Sequence, residues 1–184
     1  MYPNLSIGPA SIPSCPLFVL LALWAGMWLG AKEAERLGID GDHIYNIGIY
    51  GLLAGLIGGR AWYALSHWEA YAKNAIQSLA LTINAIALPE AFIFALAAIV
   101  IYIKVHKLLL PVVVDAIASG AALAMLIGGV GAFLGSQTLG TPTSLLWGIE
   151  QFGQLRHPAH LYQVVANLVI LAVVWKMRLN PRWP

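Results

Sequence analysis

The chain has 184 residues, of which 60% are hydrophobic and only 10% charged, with a net charge of +2. A soluble domain carries about 25% charged residues, so this composition excludes a soluble domain, a disordered tail, a coiled coil and a nucleic-acid binder. One cysteine excludes a disulfide framework and a cysteine-rich zinc site, and what remains, at a mean hydropathy of +0.77, is an all-α integral membrane protein.

Five apolar spans follow in chain order: 16–31, 44–65, 86–103, 109–134 and 158–175. Each is near the ~20 residues a helix needs to cross the hydrocarbon core. The runs are apolar on all sides, unlike the alternating pattern of barrel strands. Residues 1–15 carry no Lys or Arg, so no signal peptide is expected. Cys15 sits at the outer end of the first span and reads as an inert apolar side chain. In the first span Gly26 and Gly30 are four apart, and in the second Gly51 and Gly55, with Gly58 following; Gly128 and Gly131 crowd the end of the fourth. Such small residues let helix backbones approach closely in lipid. The string Leu-Ile-Gly-Gly occurs at 56–59 and again at 126–129, too short a match to establish a repeat.

The connectors set the orientation. Lys32, Arg36, Lys104, Lys107, Lys176, Arg178 and Arg182 fall on one side, against Lys73 and Arg156 on the other. Positive residues stay in the cytoplasm. The N-terminus is therefore expected outside, the C-terminus in the cytoplasm, and residues 1–184 as one polytopic membrane domain. The outer connectors, 66–85 and 135–157, are long. Trp68, Tyr71 and Trp147 suit the headgroup level, and residues 68–83 are expected as an amphipathic helix on the outer surface.

Ionisable residues within spans are functional candidates. Arg60 and Glu90 lie toward the outer leaflet on two helices. Arg156, His157, His160 and Tyr162 open the fifth span at the same level. A guanidinium there can hold a phosphate through two hydrogen bonds, and an imidazole can serve as base or donor. An Arg60–Glu90 ion pair, a lipid-headgroup site and simple snorkelling remain open readings. His157 and His160 lack a third ligand, so no metal and no cofactor is expected. Pro158 reads as a helix start, and Asp115 as a carboxylate capping the fourth span.

Several strings resemble one family, the prolipoprotein diacylglyceryl transferases. Gly58-Gly59-Arg60-Ala61-Trp62-Tyr63 is similar to its G-A-R-x-x-Y element, and Arg156-His157-Pro158-Ala159-His160-Leu161-Tyr162-Gln163 to its R-H-P-S-Q-L-Y-E. Asp115-Ala116-Ile117-Ala118 resembles D-x-I-A, and Gly140-Thr141-Pro142-Thr143 resembles G-R-P-T. The resemblance covers nearly the whole chain. It implies a multi-pass bacterial inner-membrane protein, with a site at the outer leaflet and phosphatidylglycerol as the lipid. In that family the diacylglyceryl group passes to a lipoprotein cysteine as a thioether.

The sequence also departs from the family pattern. Where members carry H-G-G, it has Pro89-Glu90-Ala91. Where they carry G-R-x-G-N-F-x-N-x-E, it has 128–137, retaining Phe133 and, as its only polar amide, Gln137. The family's Y-G-x-x-R belongs to further helices, whereas this sequence stops at Pro184, and a short member is expected. Thioether formation needs a base for the thiol and cations for the departing phosphate. The expectation is a protein that keeps the scaffold without the transfer reaction. It would bind anionic phospholipid or serve as an accessory or structural subunit beside other membrane subunits. The alternatives are an active transferase with a rearranged site and a small transporter.

Overall fold

The structure, a computed structural model, describes residues 4–7, 10–71, 86–135, 140–151 and 153–178. In chain order it contains β1 (Asn4–Ile7), β2 (Ala10–Pro13), α1 (Ser14–Arg36), α2 (Asp42–Ser66), α3 (Trp68–Tyr71), α4 (Leu88–Val105), α5 (Leu110–Leu134), β3 (Ile149–Gln151), β4 (Gln154–Arg156) and α6 (Ala159–Met177). The long helices α1, α2, α4, α5 and α6 coincide with the five expected spans. Among the described residues, α1, α4, α5 and α6 are long and apolar enough to cross a membrane. Helix α2 has the length, 25 residues, but sets Tyr45, Asn46, Tyr50 and Arg60 among its apolar positions. The exposed side chains are apolar along whole faces, with Leu96 50%, Val165 60% and Leu168 54% exposed. Such faces suit lipid, where every backbone polar group is already satisfied within its helix.

The chain forms two compact units, one of residues 1–41 with 114–184, the other of residues 42–113. In the first, α1 buries Ala22, Gly26, Leu29, Gly30 and Glu33, spaced as one helix face. That face meets α5 along small residues. A methyl group on Gly26 would lie 2.9 Å from the Gly120 carbonyl oxygen, so the two backbones touch directly. Helix α6 is tied to α5 by Asn167, 3% exposed, whose Nδ2 donates to the Met125 carbonyl oxygen at 2.9 Å. An N-terminal hairpin of β1 and β2, in register from Asn4↔Pro13 to Ile7↔Ala10, precedes α1.

In the second unit α2 and α4 form a close antiparallel pair. Gly51 faces the Ile99 side chain, Gly55 the Ala91 carbonyl and the Ala95 methyl, and Gly58 the Phe94 ring. A side chain on Gly58 would occupy the space of that ring. The chain enters α4 across α2, with Ala87 N donating to the Gly59 carbonyl at 3.2 Å. Gly128, in the first unit, is packed more loosely, 3.9 Å from the nearest methyl, whereas Gly131 lies against Phe18.

Two sequence expectations change here. Asp115 does not cap α5: the helix begins at Leu110 and has no acidic residue in its first turn, so Asp115 lies exposed in the second turn. Apolar Leu110, Pro111 and Val112 form the true first turn, and Pro111 suits a helix start because its missing N–H has no role there. The connector before α6, expected only as a long outer connector, carries two short strands, β3 and β4. Of the amphipathic helix expected over 68–83, only Trp68–Tyr71 is described. Residues 72–83, including Lys73, lie outside the described residues, as do Gln137 and Arg182.

Candidate functional site at the start of α6

Two short strands and the segment 141–143 build the start of α6. Strands β3 and β4 pair antiparallel, from Ile149↔Arg156 to Gln151↔Gln154, and turn at Gly153, whose φ of +74° suits glycine. Residues 141–143 pair with the opposite edge of β4. His157 N donates to the Thr141 carbonyl at 3.0 Å, and Thr143 N donates to the Leu155 carbonyl at 2.9 Å. Gly140 lies so close to the His157 carbonyl that a Cβ would collide with it, so only glycine lets the strand start there.

Arg156 leaves this sheet as a clamp. Its Nη1 donates to the Gly140 carbonyl at 3.0 Å and its Nη2 to Gln154 Oε1 at 2.8 Å. Its Nε is buried and has no partner among the described residues. An orphaned buried donor costs about 1–3 kcal/mol. His157 follows. Its Nδ1 lies 3.1 Å from the Tyr162 hydroxyl, which also accepts from Trp147 Nε1 at 2.9 Å. Pro158 is buried and precedes the first residue of α6, as its place in the sequence suggests. His160 is half-buried in the first turn.

Arg60 belongs to the other unit. It is 5% exposed near the end of α2. Its Nη1 donates to the Tyr71 hydroxyl at 3.3 Å, and its Cζ stands 5.2 Å from the Tyr71 ring and 5.9 Å from the Tyr63 ring. Two aromatic faces thus stabilise a cation that lipid alone would disfavour. Glu90 sits half-buried in the first turn of α4, where the helix dipole favours a carboxylate.

Sequence reasoning missed three polar groups. Glu33, 3% exposed, lies 2.7 Å from Arg36 Nε and 2.9 Å from Arg178 Nη1. Asn167 joins α6 to α5. In the second unit, the Tyr102 hydroxyl bridges His43 Nδ1 at 2.9 Å and Asn46 Nδ2 at 3.2 Å. An amide inside an apolar run was the available signal for Asn167. A carboxylate three residues before an arginine was the signal for Glu33.

The motifs and this geometry agree with a match to one family profile, described as prolipoprotein diacylglyceryl transferase, over residues 4–183. The chain belongs to the prolipoprotein diacylglyceryl transferase family. Its similar relatives carry the name phosphatidylglycerol–prolipoprotein diacylglyceryl transferase. The one from Clostridioides difficile (strain 630) is 32% identical over 158 residues, covering 86% of this chain and 64% of the relative. The one from Synechococcus elongatus is 27% identical over 187 residues, covering 94% of this chain and 63% of the relative. The one from Corynebacterium diphtheriae is 26% identical, covering 91% and 68%. The chain thus spans about two thirds of the length of these relatives. The family is one of bacterial inner-membrane enzymes, and the four apolar helices of spanning length agree with that location.

Proposed function

We propose that this chain is a phospholipid-binding member of the family that does not carry out diacylglyceryl transfer. It holds an anionic headgroup at the outer leaflet and acts as an accessory or structural subunit among other membrane proteins. The observation that carries this reading is Pro89-Glu90-Ala91 at the start of α4. A family base would sit at that position, and a proline and a carboxylate at a helix start offer no thiol base of that kind. The stretch from Gly128 to Gly135 supports it, because it holds no cation for a departing phosphate.

The lipid half of the reading rests on what is kept, each unit taken by itself. In the second unit Arg60 is buried beside two aromatic rings. In the first, His157, His160 and Tyr162 stand beside Arg156 at the start of α6. The relatives' name supplies phosphatidylglycerol as the ligand to try first. The Lys and Arg distribution supports an outer-leaflet position for this end of α6. A transferase with a rearranged site is the second reading, favoured by the hydrogen-bonded His157–Tyr162 pair.

The full chain, purified in mild detergent, is expected to retain anionic phospholipid by mass spectrometry, and Arg60→Leu to retain several-fold less. The chain is expected not to complement a bacterial strain lacking the transferase. Thioether-linked diacylglyceryl on a lipoprotein-precursor peptide, made by the purified chain, would establish the second reading instead.

A further inference from the structure

The hydrogen bonds at the start of α6 have a direction. Indole Nε1 only donates, so Trp147 donates to the Tyr162 oxygen at 2.9 Å. The Tyr162 hydroxyl keeps one hydrogen of its own. Its other contact among the described residues is His157 Nδ1 at 3.1 Å. Donation from Tyr162 to an unprotonated Nδ1 makes a continuous chain, Trp147 N–H to Tyr162 O–H to His157 Nδ1, in which each bond polarises the next. The reverse assignment gives the Tyr162 oxygen two donors and leaves its own hydrogen without an acceptor among the described residues.

We propose that Trp147 and Tyr162 are positioning residues that hold the His157 ring with Nδ1 accepting and its hydrogen on Nε2, so that His157 donates to an acceptor oxygen of the phospholipid headgroup. The inference rests on the reading of this cap as a headgroup site and adds the role of each ring within it. Nε2 takes no hydrogen bond among the described residues and is left for the ligand. Backbone pairing of His157 to Thr141 holds the residue at its Cα, and Tyr162, in the first turn of α6, fixes the ring. The oxygen it meets is a phosphoryl or ester-carbonyl oxygen, because both accept and neither donates. Histidine in this state is a donor, not a base, which is consistent with a protein that binds the lipid without activating a thiol.

The test uses the full chain in detergent micelles with 15N-labelled histidine, whose two ring nitrogens report which one carries hydrogen. Loss of its signals in His157→Asn identifies the residue among the five histidines. The wild-type ring is expected as the Nε2–H form alone. In Tyr162→Phe, which keeps the ring and removes the hydroxyl, the Nδ1–H form should become measurable; Trp147→Phe should move it less. Phospholipid retention is the second arm, scored with dioleoyl phosphatidylglycerol. His157→Gln places an amide donor near Nε2 and His157→Asn places one near Nδ1, so Gln should retain about fivefold more lipid than Asn, the effect of one hydrogen bond. Hydrogen on Nδ1 in the wild type, or no change in either Phe variant, overturns the positioning roles, whatever the lipid content. A responsive tautomer with equal lipid in Gln, Asn and wild type overturns the donor role and counts against the headgroup site itself.

Discussion

The two ends of α6 carry polar clusters of opposite construction. At its C-terminal end, Glu33 gives one carboxylate oxygen to Arg36 and the other to Arg178, in the latter case as an ion pair without hydrogen-bond geometry. Arg178 also lies over the Trp175 ring, 3.6 Å from its centroid. Arg178 Nε is buried there without a partner among the described residues. At the N-terminal end, Arg156 Nε and His157 Nε2 have no partner among the described residues. A helix of 19 residues spans about 28 Å, close to the thickness of the hydrocarbon core. The length therefore suits one cluster at each membrane surface. The C-terminal cluster pairs its arginines on one carboxylate, and the open N-terminal one shows no ion pair among the described residues, although both are built from arginines and aromatic rings.

Removing the shared carboxylate is the largest way to break this contrast. Glu33→Ala leaves two arginines side by side with no counter-charge, at a cost of about 3 kcal/mol. The half-exposed Arg36 reduces that figure through screening by water. Thermal unfolding in detergent should show the loss, while phosphatidylglycerol retention per folded molecule stays unchanged. Lipid loss without a stability loss would mean that this end also holds a headgroup.

Gly140→Ala acts on the open cluster. The added methyl group meets the His157 carbonyl, and the 140–143 segment must shift away from β4. The expected destabilisation is about 1–3 kcal/mol, accompanied by reduced lipid retention because Arg156 loses its Gly140 acceptor. Undiminished lipid retention would separate the clamp from the binding donors.

The smallest expected effect lies between the two ends. Asn167→Leu removes one interhelical hydrogen bond in an otherwise apolar seam, at about 0.6 kcal/mol. Hydrogen exchange of the α5 and α6 amides should rise slightly and evenly along both helices. A loss of several kcal/mol would show instead that Asn167 also serves a second polar partner.

Sites of chemistry were only partly legible before folding. The R-H-P-x-x-L-Y string pointed to His157 and Tyr162, and the outer position of Arg60 made it a candidate. Trp147 was read only as a headgroup-level aromatic, because its bond to Tyr162 joins residues 15 apart through two short strands that no hydrophobic period announces. Arg156 reads from the sequence as a lipid-headgroup candidate, and only folding shows that two of its donors go to Gly140 and Gln154.

The positions of the spans came from composition alone, and the helices begin and end within a few residues of them. Burial in lipid is a property of each segment by itself: an apolar run must form a helix to satisfy its backbone, whatever its neighbours do. The break before α6 was equally local, since proline cannot continue a helix from within. Partners were not local. Glu33 meets Arg178 from the far end of the sequence, Asn167 meets a carbonyl 42 residues away, and Asp115 lost its capping role because Leu110 started the helix earlier. A polar side chain in a membrane protein takes its meaning from the donor or acceptor that folding delivers to it, and that delivery depends on how helices far apart in sequence come to lie side by side.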